Sequence, residues 1–270
     1  MSSPLRTESR AGCTVDAGGR ITFGLRLTSA ARPQLLLRLR PKKGQPEDVT
    51  HLLDVEAGDD GRLTAVLPAG LTLCEGRWDA YVLREADGRR ERLRPGIRDL
   101  RALVDGSSRD RSSPIAVRVP YVTKDGYLAV RSWLRTMHAE VERIQAADHF
   151  VTVSARLHGR SLGQGATVRL RLRGTSTART LEPEVEDDRR SFSFTLDSSE
   201  LVDVGGDNGV WDVFVQAEGN APSTRIGRLL DDVADRKGIF VYPSITLGAT
   251  DIRPYYTVDN DLSLEVTRQN

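Results

Sequence analysis

Two aspartates, Asp259 and Asp261, flank Asn260 in the stretch PYYTVDNDLSLEV at residues 254–266. A D-x-D spacing sets two carboxylates where oxygen ligands can hold a divalent metal and, through it, an activated sugar. The other concentration of reactive side chains is cationic: Arg84, Arg89, Arg90, Arg92, Arg94, Arg98 and Arg101 crowd one segment, and Arg225 and Arg228 stand in a related one. Guanidiniums bind phosphate and carboxylate through paired hydrogen bonds, so Arg92, Arg94, Arg98, Arg225 and Arg228 are the candidate ligand-binding residues. Acids at Glu85, Asp87, Glu91 and Asp99 are interleaved with the first cluster, which is also the composition of a solvated face of mixed charge.

Signatures of catalysis are missing. His51, His138, His149 and His158 show neither H-x-x-x-H nor H-E-x-x-H spacing, and there is no G-x-S-x-G elbow. GRSLGQG at 159–165 lacks the G-K-[ST] ending of a phosphate loop and reads as a connection between strands. The gap between matched blocks in which it lies, residues 158–167, is three residues longer than its counterpart, residues 28–34. The acidic, glycine-rich stretch from Asp203 to Gly209 has oxygen ligands for calcium but no EF-hand spacing, and reads as a turn-rich loop. No carboxylate pair stands out as acid and base, so no catalytic residue and no cofactor is expected.

The elements that must position these residues come twice. Gly76-Arg77-Trp78-Asp79-Ala80-Tyr81-Val82 matches Gly209-Val210-Trp211-Asp212-Val213-Phe214-Val215. Downstream, the stretch from Pro120 to Leu128 matches Pro254 to Leu262. Upstream, Ile21 to Leu27 lies opposite Val151 to Leu157, and Leu35, Leu37 and Leu39 opposite Val168, Leu170 and Leu172. Self-similarity of this kind reads as a tandem duplication. It also supplies a control on the D-x-D pair. The first copy has Asp125-Gly126-Tyr127 in place of Asp259-Asn260-Asp261, and Asp-Gly and Asp-Asn both suit a tight turn with positive φ. A hairpin turn closing each copy is therefore the expectation, with the metal site as its alternative.

Each block alternates apolar and polar residues, clearest in LRLR at 37–40 and VRLRLR at 168–173. Period two is the mark of strands that bury one face. The expected fold is all-β: two tandem immunoglobulin- or fibronectin-like antiparallel β-sandwiches, residues 1–135 and 136–270. Helix is scarce, and its best candidates, Ile97 to Val104 and Arg228 to Ala234, are read as short helical crossings or irregular strands. Trp133 to Ile144 has a helical composition, but the repeat places the second copy's first strand near Glu140. Trp78 and Trp211 recur at one strand position and are read as core pillars rather than sugar platforms. Asp79 and Asp212 point to the opposite face as exposed acids, with Arg92 and Arg225 as cross-strand partners.

The chain has 270 residues, 39% hydrophobic and 29% charged, with a formal net charge of +1. Such a balance does not attract a polyanion, so nucleic acid is not an expected partner. Lysine is confined to Lys42, Lys43, Lys124 and Lys237. Cys13 and Cys74 are too few for a disulfide framework and read as buried free thiols, with a single bridge as the alternative. The first residues lack the apolar core of a signal peptide and no run is long enough to cross a bilayer, so the expected location is the cytoplasm.

The W-D-V-x-V block, RIGRLLDD at 225–232 and the P-Y-x-T-x-D-N-D-L-S-L-x-V ending resemble the β-sandwich repeats appended to actinobacterial cell-surface glycosyltransferases and glycerophosphotransferases. The resemblance covers both halves but none of the transferase domain. It implies a non-catalytic protein accessory to cell-envelope polysaccharide or glycoconjugate synthesis, with a transferase or other protein, or a carbohydrate polymer, as partner. An enzyme using Asp259 and Asp261 as metal ligands is the second reading, and a self-assembling structural protein the third.

Overall fold

The computed structural model describes residues 8–27, 32–41, 44, 49–58, 62–84, 88–105, 111–206 and 208–269. Glu85, Asp87, Asp207 and most of the Thr28 to Pro33 connection lie outside the described residues. The chain divides into two compact units: residues 1–109, 116–134 and 230–234, and residues 110–115, 135–229 and 235–270.

The first unit carries β1 (Arg10–Val15), β2 (Ile21–Arg26), β3 (Gln34–Leu39), β4 (Thr50–Ala57), β5 (Leu63–Leu67), β6 (Gly76–Leu83), β7 (Glu91–Arg92), β8 (Arg94–Asp99), α1 (Arg101–Asp105), β9 (Ile115–Val122) and β10 (Leu128–Arg135). The strands follow the order β8-β1-β2-β5-β4-β3-β6-β10-β9, with β7 also on β6. The path folds at β4, whose first half pairs with β3 and whose second half pairs with β5. Cys13, Ile21, Phe23, Ala65 and Leu67 from one layer meet Leu35, Leu37, Trp78, Ala80 and Val130 from the other in one buried cluster. These are the alternate residues of their strands, which is how period two turns two sheets into one core.

The second unit carries β11 (His138–Ala147), β12 (Phe150–His158), β13 (Thr167–Leu172), β14 (Ala178–Leu181), β15 (Glu184–Val185), β16 (Ser191–Asp197), α2 (Ser199–Gly205), β17 (Gly209–Gln216), β18 (Ser223–Gly227), β19 (Ile245–Leu247), β20 (Thr250–Tyr256) and β21 (Leu262–Arg268). Its strands run β15-β16-β12-β11-β18-β17-β21-β20-β19, with β13 pairing β14 and β17. Its core gathers Val151, Val153, Phe192, Phe194, Val168, Leu170, Trp211 and Leu264. The described chain is thus all-β but for two short helices.

The two units repeat each other in register. Trp78 pairs with Leu39 and Val130, and Trp211 pairs with Leu172 and Leu264. Both indoles are fully buried. Trp78 Nε1 donates to the Cys74 carbonyl at 3.0 Å, so the one polar atom of that ring is satisfied inside the core.

The expected all-β sandwich fold is present, with departures in detail. The sheets are not wholly antiparallel, because β8 runs parallel to β1 and β18 parallel to β11. In each unit the chain after the Trp strand starts beside it, then crosses to the other sheet and arrives in the direction of the first strand. Of the first crossing, Ile97 to Asp99 ends β8 and Arg101–Asp105 is helical, while Arg228 to Ala234 is neither helix nor strand. The helix at Ser199–Gly205 was not expected, and it takes in the start of the acidic loop. Glu140 lies in a strand, as the repeat required, and Trp133 lies in β10.

Candidate functional site

The outer face of the Trp-bearing sheet collects most of the residues singled out from the sequence. In β17, Trp211 points inward, so Asp212 and, two residues on, Phe214 lie on the outer face. Arg173 follows β13 and meets Asp212 at 2.5 Å, and Arg225 of β18 meets it at 2.9 Å. Ser263 Oγ donates to Asp212 at 2.9 Å. Partial burial raises the Asp212 pKa, but the hydrogen bonds from Arg173 and Arg225 outweigh it and hold the group at about 2. Arg171 and Arg225 lie over the Phe214 ring at 5.7 and 5.0 Å, within cation–π range.

The first unit builds the same layer from equivalent residues. Asp79 takes Arg40 at 2.7 Å and Arg92 at 3.2 Å, and Arg38 lies 5.3 Å over Tyr81. The cross-strand partners Arg92 and Arg225 are those read from the sequence. The acids are not exposed: the side chains of Asp79 and Asp212 keep only 5% and 16% of their surface. A second arginine on each, Arg40 and Arg173, closes them off. Both belong to the alternating runs at 37–40 and 168–173, where every polar position facing the Trp strand's acid is an arginine; that was the signal available in the sequence.

The turn after the next-to-last strand is also shared. Gly126 and Asn260 have φ of 77° and 62°, the left-handed region that glycine and asparagine tolerate best. Gly126 N–H donates to the Thr123 carbonyl and Asn260 N–H to that of Thr257, at 2.8 and 3.0 Å. One position on, the copies diverge. Tyr127 lies between Arg92 and Arg94, at 4.1 and 4.2 Å from their guanidinium carbons. Asp261 instead pairs with Arg135 at 2.9 Å and Arg225 at 3.7 Å.

Around this second turn lies an open pocket of about 420 Å³, lined by Arg173, Arg225, Lys237, Tyr255, Thr257, Val258, Asp259 and Asp261. It brings together three of the sequence candidates, Arg225, Asp259 and Asp261. Lys237 Nζ sits 5.7 Å over the Tyr255 ring, and Arg173 also interacts with the Tyr255 hydroxyl. Neither Lys237 nor Tyr255 was singled out beforehand; Lys237 carried a signal, being one of four lysines. Among the described residues no group of three His, Cys, Asp or Glu side chains could hold a metal ion.

The remaining candidates lie apart from this pocket. Arg94 binds Glu8 at 3.1 Å and donates to the carbonyls of Asp125 and Gly126. Arg98 donates to the Pro120 carbonyl at 3.2 Å, and Arg228 lies 5.3 Å over Phe240. The crowded first cluster is largely paired: Arg84 with Glu91 at 2.9 Å and Arg101 with Asp99 at 2.6 Å. No described helix is long and apolar enough to cross a membrane.

No protein-family model matches the chain, and no curated protein matches it. Among solved structures, S. aureus TarS aligns with a TM-score of 0.41 and 17% identity over 63% of this chain and 32% of that one. A structure of TarS residues 217–571 aligns with a TM-score of 0.31 and 10% identity, covering 81% of this chain and 62% of that one. The chain spans less than two thirds of either structure, and at these scores the likeness decides neither fold nor function.

Proposed function

We propose that this chain is a non-catalytic binding protein whose second unit takes a carbohydrate in the pocket beside the 257–261 turn. The carrying observation is the pocket's lining: donors from Arg173, Arg225 and Lys237 alternate with the carboxylates Asp259 and Asp261 beside the Tyr255 ring. A saccharide presents hydroxyls that donate and accept, together with an apolar ring face that packs on an aromatic. The volume is that of a small-ligand site. Asp261 already serves two guanidiniums, which favours a group that orients a ligand over one that shuttles protons.

The accessory setting, beside a transferase of cell-envelope polysaccharide or glycoconjugate, rests on the sequence resemblance of the W-D and P-Y-x-T blocks. The shared registers support the reading of residues 1–135 and 136–270 as two copies of one domain.

The test is retention on an array of immobilised glycans, repeated with Tyr255→Ala and Lys237→Ala. The expected result is binding to at least one glycan class, weakened at least tenfold by Tyr255→Ala. Folded wild-type protein that retains no glycan overturns the proposal. So does a rise in Tm with manganese or magnesium that Asp259→Ala with Asp261→Ala abolishes, since that result belongs to a metal site.

A further inference from the structure

Given the carbohydrate reading of the 257–261 pocket, on which this rests, we propose that the first unit carries a closed copy of that pocket. Its own Tyr127 takes the place that the second unit leaves to a saccharide ring. Most of the wall is built twice. Arg173, Arg225, Tyr255, Thr257 and Asp259 line the open pocket, and Arg40, Arg92, Tyr121, Thr123 and Asp125 stand at the equivalent positions of the first unit. The frames match in register: Arg92 pairs with Tyr81 as Arg225 pairs with Phe214. The Thr123 N–H donates to the Tyr127 carbonyl at 2.9 Å, as the Thr257 N–H donates to that of Asp261 at 2.8 Å. Two differences put side chains over the first unit's turn.

The first difference is Arg94, which the second unit replaces with Gly227. The Arg94 guanidinium donates to the carbonyls of Asp125 and Gly126 at 3.1 and 3.2 Å, and a Cβ on Gly126 would stand 3.0 Å from its Nη1. At Gly227 no side chain fits, because a Cβ there would stand 2.7 Å from the Asn260 oxygen. The second difference is Tyr127, whose ring lies between the Arg92 and Arg94 guanidiniums at 4.1 and 4.2 Å, both cation–π distances. Arg225, matched to Arg92, has Asp261 in place of that ring and lines the open pocket. A ring held on the guanidinium in one copy marks where a ring of similar size lies in the other. The tyrosines of the two walls differ accordingly. Tyr121 stands two residues before Thr123, so it shares a face with Tyr127 and is its diagonal neighbour across the hairpin, within reach of a long aromatic side chain. Its hydroxyl is buried and makes no hydrogen bond, and burial raises its pKa above the usual tyrosine value. The Tyr255 hydroxyl instead takes Arg173 at the wall of the open pocket. A buried hydroxyl without a partner is costly, and it arises where a ring covers a wall suited to a ligand's polar groups.

Nitration of the folded full chain by tetranitromethane, read at each tyrosine by peptide mass spectrometry, tests the closure without a ligand. Nitration proceeds through the phenolate, which burial disfavours, so Tyr121 should react about tenfold or more slowly than Tyr255 in the wild type. Arg94→Gly with Tyr127→Asp gives the first unit the second unit's residues and should bring Tyr121 to the rate of Tyr255. Where that double variant loses the wild-type circular dichroism, Tyr127→Ser alone replaces it. Retention on the array of immobilised glycans then tests the occupant: adding Arg94→Gly and Tyr127→Asp to Tyr255→Ala should restore the retention that Tyr255→Ala removes, on the same glycans. Equal nitration of Tyr121 and Tyr255 in the wild type, no gain at Tyr121 in the folded variant, or an opened first unit that restores no retention overturns the proposal. A wild type that retains no glycan overturns a saccharide as the occupant in both units, whereas the gain at Tyr121 in that same chain still establishes Tyr127 as the closure, so the two failures are distinguishable.

Discussion

The two units agree on one face and part company on the other. On the outer face of the Trp-bearing sheet, Arg38, Arg40, Asp79, Tyr81 and Arg92 are reproduced by Arg171, Arg173, Asp212, Phe214 and Arg225, in the same pairs. On the outer face of the opposite sheet, the row Arg10, Arg26, Arg62 stands where the other unit has Glu140, Arg156, Ser191. The lesson is one of division of labour. What both units keep holds the sandwich together: a buried indole on one side of the strand and a sealed acid on the other. The second unit has its candidate site where it departs from the first, at the Tyr127/Asp261 turn.

The shared half of the comparison breaks most sharply at the indoles. Trp78→Ala and Trp211→Ala should each cost the unit that carries them about 3–5 kcal/mol, the usual range for emptying a core of an aromatic. Urea unfolding of each variant measures this. A loss below about 1 kcal/mol in either would mean that this strand position is not a pillar in both units.

Next come the sealed acids. Asp79→Asn and Asp212→Asn remove the anion that two guanidiniums share, and each should cost about 1–3 kcal/mol. Asp79 is the more buried, so its variant should have the lower urea midpoint. For Asp212 the pH dependence follows from its depressed pKa. The unfolded carboxyl titrates near 3.8 and the folded one at about 2. Its stabilisation is therefore complete above the unfolded value and fades as pH falls from there toward 2. Acid titration of Asp212→Asn should lack that part of the wild-type loss.

The fold was open to sequence reasoning because the duplication and the period-two alternation say the same thing. Glu140 falls in a strand, against the helical composition around it, since equivalent residues of the first copy needed a strand there. The parallel crossing of β8 and β18 was not open to it, because Glu91 to Asp99 carries no strong alternation and switches sheets midway. The site was only half legible. Arg92 and Arg225 could be matched to Asp79 and Asp212 by their repeat, while Arg40 and Arg173 were hidden as the polar half of a strand pattern. The arginine row was invisible for a physical reason. Arg10, Arg26 and Arg62 are far apart in the chain, and only strand register brings them side by side. A density of arginines along the sequence pointed instead to Arg84 through Arg101, whose charges are mostly spent on nearby acids.

The turn residue gives a smaller and more specific test. Tyr127 packs between two guanidiniums, and a contact of this kind is worth about 0.5–1 kcal/mol at a partly exposed site. Tyr127→Asp should therefore be close to neutral if the acid recovers an ion pair with Arg92, as Asp261 does with Arg225. Asp261→Tyr should be worse, because it takes an anion away from Arg135 as well. A double-mutant cycle of Asp261→Asn with Arg135→Gln isolates that pair. A coupling indistinguishable from zero would reduce the divergence at this turn to a difference in shape alone.

The smallest effect is expected where the units differ most. Arg10→Glu gives the first unit the Glu–Arg cross-strand pair of the second, replacing a repulsion with an attraction. Each such pair is worth about 0.2–1 kcal/mol on an exposed sheet face, so stability should rise by that order, and the rise should shrink with added salt as the charges are screened. If Arg10→Glu instead destabilises the unit at every salt concentration, the row is not strained and the contrast between the two faces loses its electrostatic basis.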